Sequence, residues 1–218
     1  YTLYLPAIGS GPEPFGYGLQ AHMVTRSQAE RSLVTTLYLD FTWAKQQITS
    51  NLYNDYWTSE IYYGVMDQLV IIGMRNEINL LFSLVDLPRT AIESEIESDN
   101  TRMMDASLTD PDAYTRFAGR VARRYCGTSL KAIEVMNEQN LRDEWASEPD
   151  PEAYVAMLAS TYQAIKAECP EMKVISGGLA QTGDNLPAAM DNFTYFDRML
   201  QAGLLDYVDG IGVHALGY

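Results

Sequence analysis

From Phe15 onward the chain alternates short apolar runs with longer stretches in which apolar residues return every three or four positions. The short runs, at 15–20, 43–48, 78–85, 132–137, 173–176 and 208–213, have the length and composition of strands. Between them the period becomes helical. Ala29, Leu33 and Leu37 stand at i, i+4 and i+8, and Ser27 with Glu30 forms a capping-box pattern at their start. Tyr114, Phe117, Ala118 and Val121 make one apolar face, and Leu158, Tyr162 and Ile165 make another. Asp110-Pro111 and Asp150-Pro151 each place a capping carboxylate before a proline at the first helical position, where the missing N–H costs nothing. Gly127 and Gly203 stand where a glycine closes a helix, and Pro170 blocks continuation beyond Cys169. The stretch 65–72 reads as a further helix and 51–60 as an aromatic-rich loop.

Strand and helix in alternation predict a parallel sheet. A doubly wound open sheet and a closed barrel both satisfy it. The nucleotide-binding open sheet carries a glycine-rich phosphate loop after its first strand, whereas here Gly16-Tyr17-Gly18 falls within that strand. The expectation is therefore an α/β fold, an incomplete (β/α)8 TIM barrel with about six β/α units. Residues 1–14, rich in proline and glycine, read as an extended lead-in, and 15–218 as the barrel domain.

With 218 residues, 47% hydrophobic and 20% charged, the chain has the composition of one globular unit. Twenty-nine acidic against fifteen basic side chains give a net charge of -14 and a pI near 4.4, which repels phosphate backbones and anionic lipid. Nucleic acid and membrane insertion are excluded as roles on this reading. No apolar run approaches the roughly 18 to 20 residues that span a bilayer, and the first residues lack the pattern of a signal peptide, so export predicts an already processed chain. Cys126 and Cys169 each follow a predicted helix and precede a predicted strand, which puts both on the bottom face of a barrel, one unit apart. They read either as a disulfide, implying an oxidising compartment, or as two buried thiols.

In a barrel the loops after the strands build the active face. The polar residues there are His22, Gln46, Gln47, Asp86, Asn137, Glu138, Gln139, Asn140, Gln181, Asp184, His214 and Tyr218. Glu138 leads them. The buried run Ile133-Glu134-Val135-Met136 ends in Asn137-Glu138, and burial at a barrel mouth raises a carboxyl pKa until the group donates protons near neutrality. A metal site from His22, His214 and Glu138 lacks any His-x-His or comparable spacing, so neither metal nor cofactor is expected. Asn192-Phe193-Thr194 fits a glycosylation acceptor pattern.

Glu134-Val135-Met136-Asn137-Glu138-Gln139-Asn140 resembles the fourth-strand signature of clan A glycoside hydrolases, which ends in Asn-Glu. Phe15 through His22 is similar to the first strand of that clan, Trp43 through Gln47 to the second, Val174 through Gly178 to the fifth and Gly210 through His214 to the sixth. The resemblance implies a carbohydrate substrate, Glu138 as general acid/base and Asn137 as partner of the sugar hydroxyl beside the scissile bond. His22, Gln46, His214 and Tyr218 become candidate substrate-binding residues, and the aromatics Tyr53, Tyr56, Trp57, Tyr62 and Tyr63 either stack on sugar or cover the core.

Retention of configuration needs a second carboxylate about 5 to 5.5 Å from the first, and inversion about 6.5 to 9.5 Å. Glu134 lies four strand residues from Glu138, roughly 13 Å, and meets neither distance. In the clan the nucleophile is a Glu ending strand seven, so the resemblance places it outside these 218 residues; Asp86 and Asp184 share the face but not that position. Two functions follow as expectations: a retaining O-glycosyl hydrolase, extracellular or at the cell surface, or a non-catalytic carbohydrate-binding or structural surface protein on a degenerate barrel. Six strands of eight also leave open barrel edges that invite association.

Overall fold

The computed structural model describes residues 3–4, 16–21, 23, 25–49, 63–85, 112–145 and 147–215. Six strands run parallel in sequence order: β2 (Gly18–Gln20), β3 (Trp43–Thr49), β4 (Asn79–Val85), β5 (Leu130–Val135), β6 (Lys173–Ser176) and β7 (Gly210–Ile211). A short β1 (Leu3–Tyr4), absent from the sequence expectation, pairs antiparallel with β2. An order that never reverses has no switch point, which separates this sheet from the doubly wound class. The sheet curls into a partial barrel with helices between the strands, as expected of an incomplete (β/α)8 pattern.

The pleat sorts each strand into two faces. Ala44, Gln46 and Ile48 of β3 are in register with Leu80, Phe82 and Leu84 of β4. Phe82 and Leu84 in turn meet Ile133 and Val135 of β5. This is the helix-facing side, because Phe82 meets the Tyr125 ring edge-on and these apolar residues join the helices in one buried cluster. Lys45, Ser83 and Glu134 therefore face the barrel interior.

Among the described residues there are six α-helices: α1 (Arg26–Tyr38), α2 (Gly64–Arg75), α3 (Ala113–Tyr125), α4 (Arg142–Trp145), α5 (Pro151–Glu168) and α6 (Asn192–Gln201). The predicted faces of α3 and α5 are buried at Tyr114, Phe117, Ala118, Val121, Leu158 and Ile165. Asp150 caps α5 by accepting from the Ala153 N–H at 2.9 Å, with Pro151 in the first turn. The capping box of α1 is Thr25 with Gln28, two residues before the expected Ser27 and Glu30, since the same spacing occurs twice in succession. That helix buries Ala29, Leu33 and Thr36, and Leu37 is 42% exposed. Asp110-Pro111 lies outside the described residues, and Asp112 stands at the N-cap of α3. No helix among the described residues is long and apolar enough to cross a membrane.

Two buried tyrosines join the helices to the carboxyl ends of the strands by the same device. Tyr114 in the first turn of α3 donates its hydroxyl to Leu84 O (2.8 Å) and accepts from Met136 N–H (3.0 Å). Tyr154 in the first turn of α5 donates to Val135 O (3.0 Å) and accepts from Gly177 N–H (2.9 Å). Each hydroxyl thus bridges one strand end to the residue just past the next. At the opposite rim Cys126 and Cys169 are disulfide-bonded, with Cα atoms 5.5 Å apart, and close the C-terminal ends of α3 and α5 together.

Candidate active site

The backbone leaves β5 through two left-handed residues, Met136 (φ 68°) and Glu138 (φ 50°), with Asn137 between them. For side chains with a Cβ such conformations cost about 1 to 3 kcal/mol each. The surroundings hold them. Met136 is fully buried and its N–H is shared between Leu84 O (3.0 Å) and the Tyr114 hydroxyl. Glu138 N–H donates to Gly178 O (2.8 Å), and Glu138 O accepts from Leu141 N–H (2.8 Å). This double reversal ends the strand at Val135, two residues earlier than the periodicity predicts, and lifts Glu138 out of the strand's alternation.

The Glu138 side chain is 29% exposed, and its Oε1 lies 2.9 Å from Nδ1 of His214. With the carboxylate ionised, the ring N–H donates. His214 is buried and its ring rests on Gly178, where a Cβ would stand 2.5 Å from the ring. Gly212, two residues before His214, is packed as tightly: a Cβ there would lie 2.2 Å from Ser176 O and 3.0 Å from Glu134 Oε1. These two glycines let the end of β7 come close enough for His214 to reach Glu138. Asn137 is also buried at this mouth, and its Oδ1 has no hydrogen-bond partner among the described residues.

The other candidates divide. Gln46 lies on the helix-facing side of β3, accepts from Met23 N–H (2.6 Å) and donates to Gln47 O (2.5 Å), so it braces the approach to α1 and does not join Glu138. Asn140 is fully committed, donating to Ala180 O and Met190 O (3.0 Å each) and accepting from Ala180 N–H (2.8 Å). Gln139 donates to Gly177 O at 3.1 Å. Gln181 is exposed, and Asp184 accepts from Asp191 N–H at 2.8 Å within its own loop. His22, Asp86 and Tyr218 lie outside the described residues, as do Tyr53, Tyr56, Trp57 and Tyr62 of the aromatic loop.

Sequence reasoning passed over three contributors. Tyr114 reads as part of an apolar helix face, Tyr154 is not singled out, and nothing in their spacing marks their hydroxyls as strand clasps. Burial pushes the Tyr154 phenol well above its ordinary range, so it stays protonated as the donor to Val135. Lys45 forms a buried ion pair with Glu134 in the barrel interior.

No family model and no curated protein matches this chain. Solved structures do. A family 39 glycoside hydrolase from the gut symbiont Bacteroides cellulosilyticus WH2 superposes with a TM-score of 0.59 at 20% identity, covering 90% of this chain and 37% of that one. An endo-1,4-β-mannanase from Rhizomucor miehei gives 0.56 at 16% identity, over 88% of this chain and 67% of that one. The endo-1,4-β-mannanase of Eisenia fetida gives 0.55 at 14%, over 87% and 60%. At these identities the likeness is one of fold: the chain has the architecture of the barrels on which these glycoside hydrolases are built. It spans 37% to 60% of the length of the two whose fold it shares most partially, and 67% of the third.

Proposed function

We propose that this chain supplies the acid/base side of a retaining glycoside hydrolase acting on O-glycosidic bonds in poly- or oligosaccharides. The observation that carries this reading is a half-buried Glu138 carboxyl at the end of a barrel strand, fixed by the 2.9 Å contact to His214. The likeness of fold to mannan-cleaving and family 39 enzymes supports the substrate class. In the first step Glu138 delivers its proton to the leaving glycosidic oxygen while a carboxylate from a seventh barrel strand attacks the anomeric carbon. In the second it takes a proton from water, which displaces that carboxylate. Asn137 turns its amide to the sugar hydroxyl beside the scissile bond. The disulfide supports an oxidising compartment, outside the cell or at its surface.

The test is Glu138→Gln in a polypeptide carrying this chain together with the strands that close the barrel. Hydrolysis of a natural glycan should fall on the order of 10² to 10⁴ with binding retained. On an aryl glycoside with a good leaving group the first step should persist and the second slow, giving a burst. Unchanged turnover on the glycan removes Glu138 from the mechanism.

A further inference from the structure

Of the nine asparagines in the chain only Asn192 has a serine or threonine two residues on, with Phe193 between, which is the pattern that N-linked oligosaccharide transfer reads. Three-residue patterns recur by chance, so what the fold does with these residues decides whether the pattern is usable. Asn192 opens α6. Side chains on a helix tilt toward its N-terminus, so at this first position the amide is directed past the helix end and away from the turns that follow. The Asn192 backbone N–H donates to Thr182 O (3.3 Å), but its half-buried side-chain amide makes no hydrogen bond among the described residues. The cap of α6 is instead Asp191, whose carboxylate accepts from Thr194 N–H at 2.9 Å. The Thr194 side chain is exposed, and its hydroxyl too makes no hydrogen bond among the described residues.

Phe193 adds a second, independent sign. It is 78% exposed, whereas Tyr195 and Met199 of the same helix are buried. A phenyl ring in water beside an uncommitted amide contributes nothing to the core, and a sugar attached to that amide would cover it. The compartment agrees as well, since the Cys126–Cys169 disulfide belongs to an oxidising environment such as the secretory lumen.

We propose that Asn192 is the acceptor of an N-linked oligosaccharide. The donor is an oligosaccharide carried on a lipid diphosphate. Asn192 Nδ2 attacks the anomeric carbon; the N–C bond forms as the C–O bond to the diphosphate breaks, the amide gives up one proton and the lipid diphosphate leaves. The transferase meets the sequence while it is still extended, so the fold has only to keep the amide free of other bonds and out of the core afterwards. Asn192 follows the loop between β6 and α6, on the carboxyl rim, and Asn140 pins that loop through Ala180 and Met190. The glycan thus stands on the same rim as Glu138 and on an ordered base. The proposal goes beyond the hydrolase reading and does not depend on it.

The test translates the 218-residue chain behind a cleavable signal sequence in the presence of eukaryotic rough microsomes, and follows the protease-protected luminal product. One mobility shift is expected, reversed by peptide N-glycosidase with conversion of residue 192 to aspartate in the peptide mass. Asn192→Gln and Thr194→Ala should each abolish the shift, and Thr194→Ser should keep it. The shifted product should form the Cys126–Cys169 bond as fully as the unshifted product of Asn192→Gln, read by alkylation of free thiols. An unshifted luminal product, a shift that survives Asn192→Gln, or a glycosylated product that fails to form the disulfide overturns the proposal. Each outcome leaves the Glu138→Gln activity test untouched, so the two readings fail separately.

Discussion

At the carboxyl rim of the barrel, backbone is fastened by buried hydroxyls; at the amino rim, helices are fastened to one another by a disulfide and by exposed ion pairs. The first arrangement includes Tyr114, Tyr154 and Gly178 and tolerates two left-handed residues in a row of three. The second includes Cys126–Cys169, Arg123 with Glu168, and Arg124 with Asp67. On the proposed function the carboxyl rim holds the Glu138 carboxyl in place through short, buried, directional contacts, whereas the amino rim joins helices through links that leave side-chain geometry looser.

Removing the disulfide should show the largest effect on stability. Cys126→Ser with Cys169→Ser frees a loop with a sequence separation of 43 residues, worth about 4 kcal/mol in the chain-entropy model. Denaturant unfolding should show that loss, while the Glu138 NMR signal in the folded fraction stays put. A shifted signal would mean the two rims are not independent.

Gly178→Ala tests the other rim. The added methyl meets the His214 ring at 2.5 Å and must displace it. In a closed-barrel polypeptide, activity should drop about 10²-fold, as for a misplacement of about 1 Å, with far less change in melting temperature than the disulfide variant. Equal losses of both would make His214 a packing residue. Tyr154→Phe should cost about 1 to 3 kcal/mol, since Gly177 N–H is left buried without its acceptor.

Acid should weaken the amino rim. The Arg124 guanidinium beside Asp67 holds its carboxyl below the ordinary range, helped by the Tyr125 hydroxyl and opposed by burial. A depressed carboxyl contributes stability above its unfolded value, near pH 4, and loses it as pH falls through the folded value. Asp67→Asn should therefore flatten the fall of the denaturation midpoint below about pH 4; an unaltered slope would assign it elsewhere. Smallest of all, Arg123→Ala should leave the midpoint where it is, because the Arg123 side chain is 69% exposed and its pair with Glu168 is screened by water.

The legibility of the sequence followed the same division. Helix faces and the Asp150-Pro151 cap were readable because period and cap chemistry are local. So was the placement of Glu138 just beyond a buried strand. The facing of Lys45-Gln46-Gln47 was not, because three polar residues in a row carry no alternation, and register with β4 decides which of them looks inward. The left-handed turn at Met136 and Glu138 was equally hidden, since neither residue favours it and only contacts from other elements impose it.

The tyrosine clasps carry a consequence for the tempo of motion. Met136 and Gly177 give their amide protons to hydroxyls anchored in the first turns of α3 and α5. Those protons can exchange with solvent only when a helix undocks, which in a packed core means cooperative opening of the whole unit. The backbone beneath Glu138 should thus be among the slowest-exchanging in the chain, although it lies beyond the strand and beside the mouth.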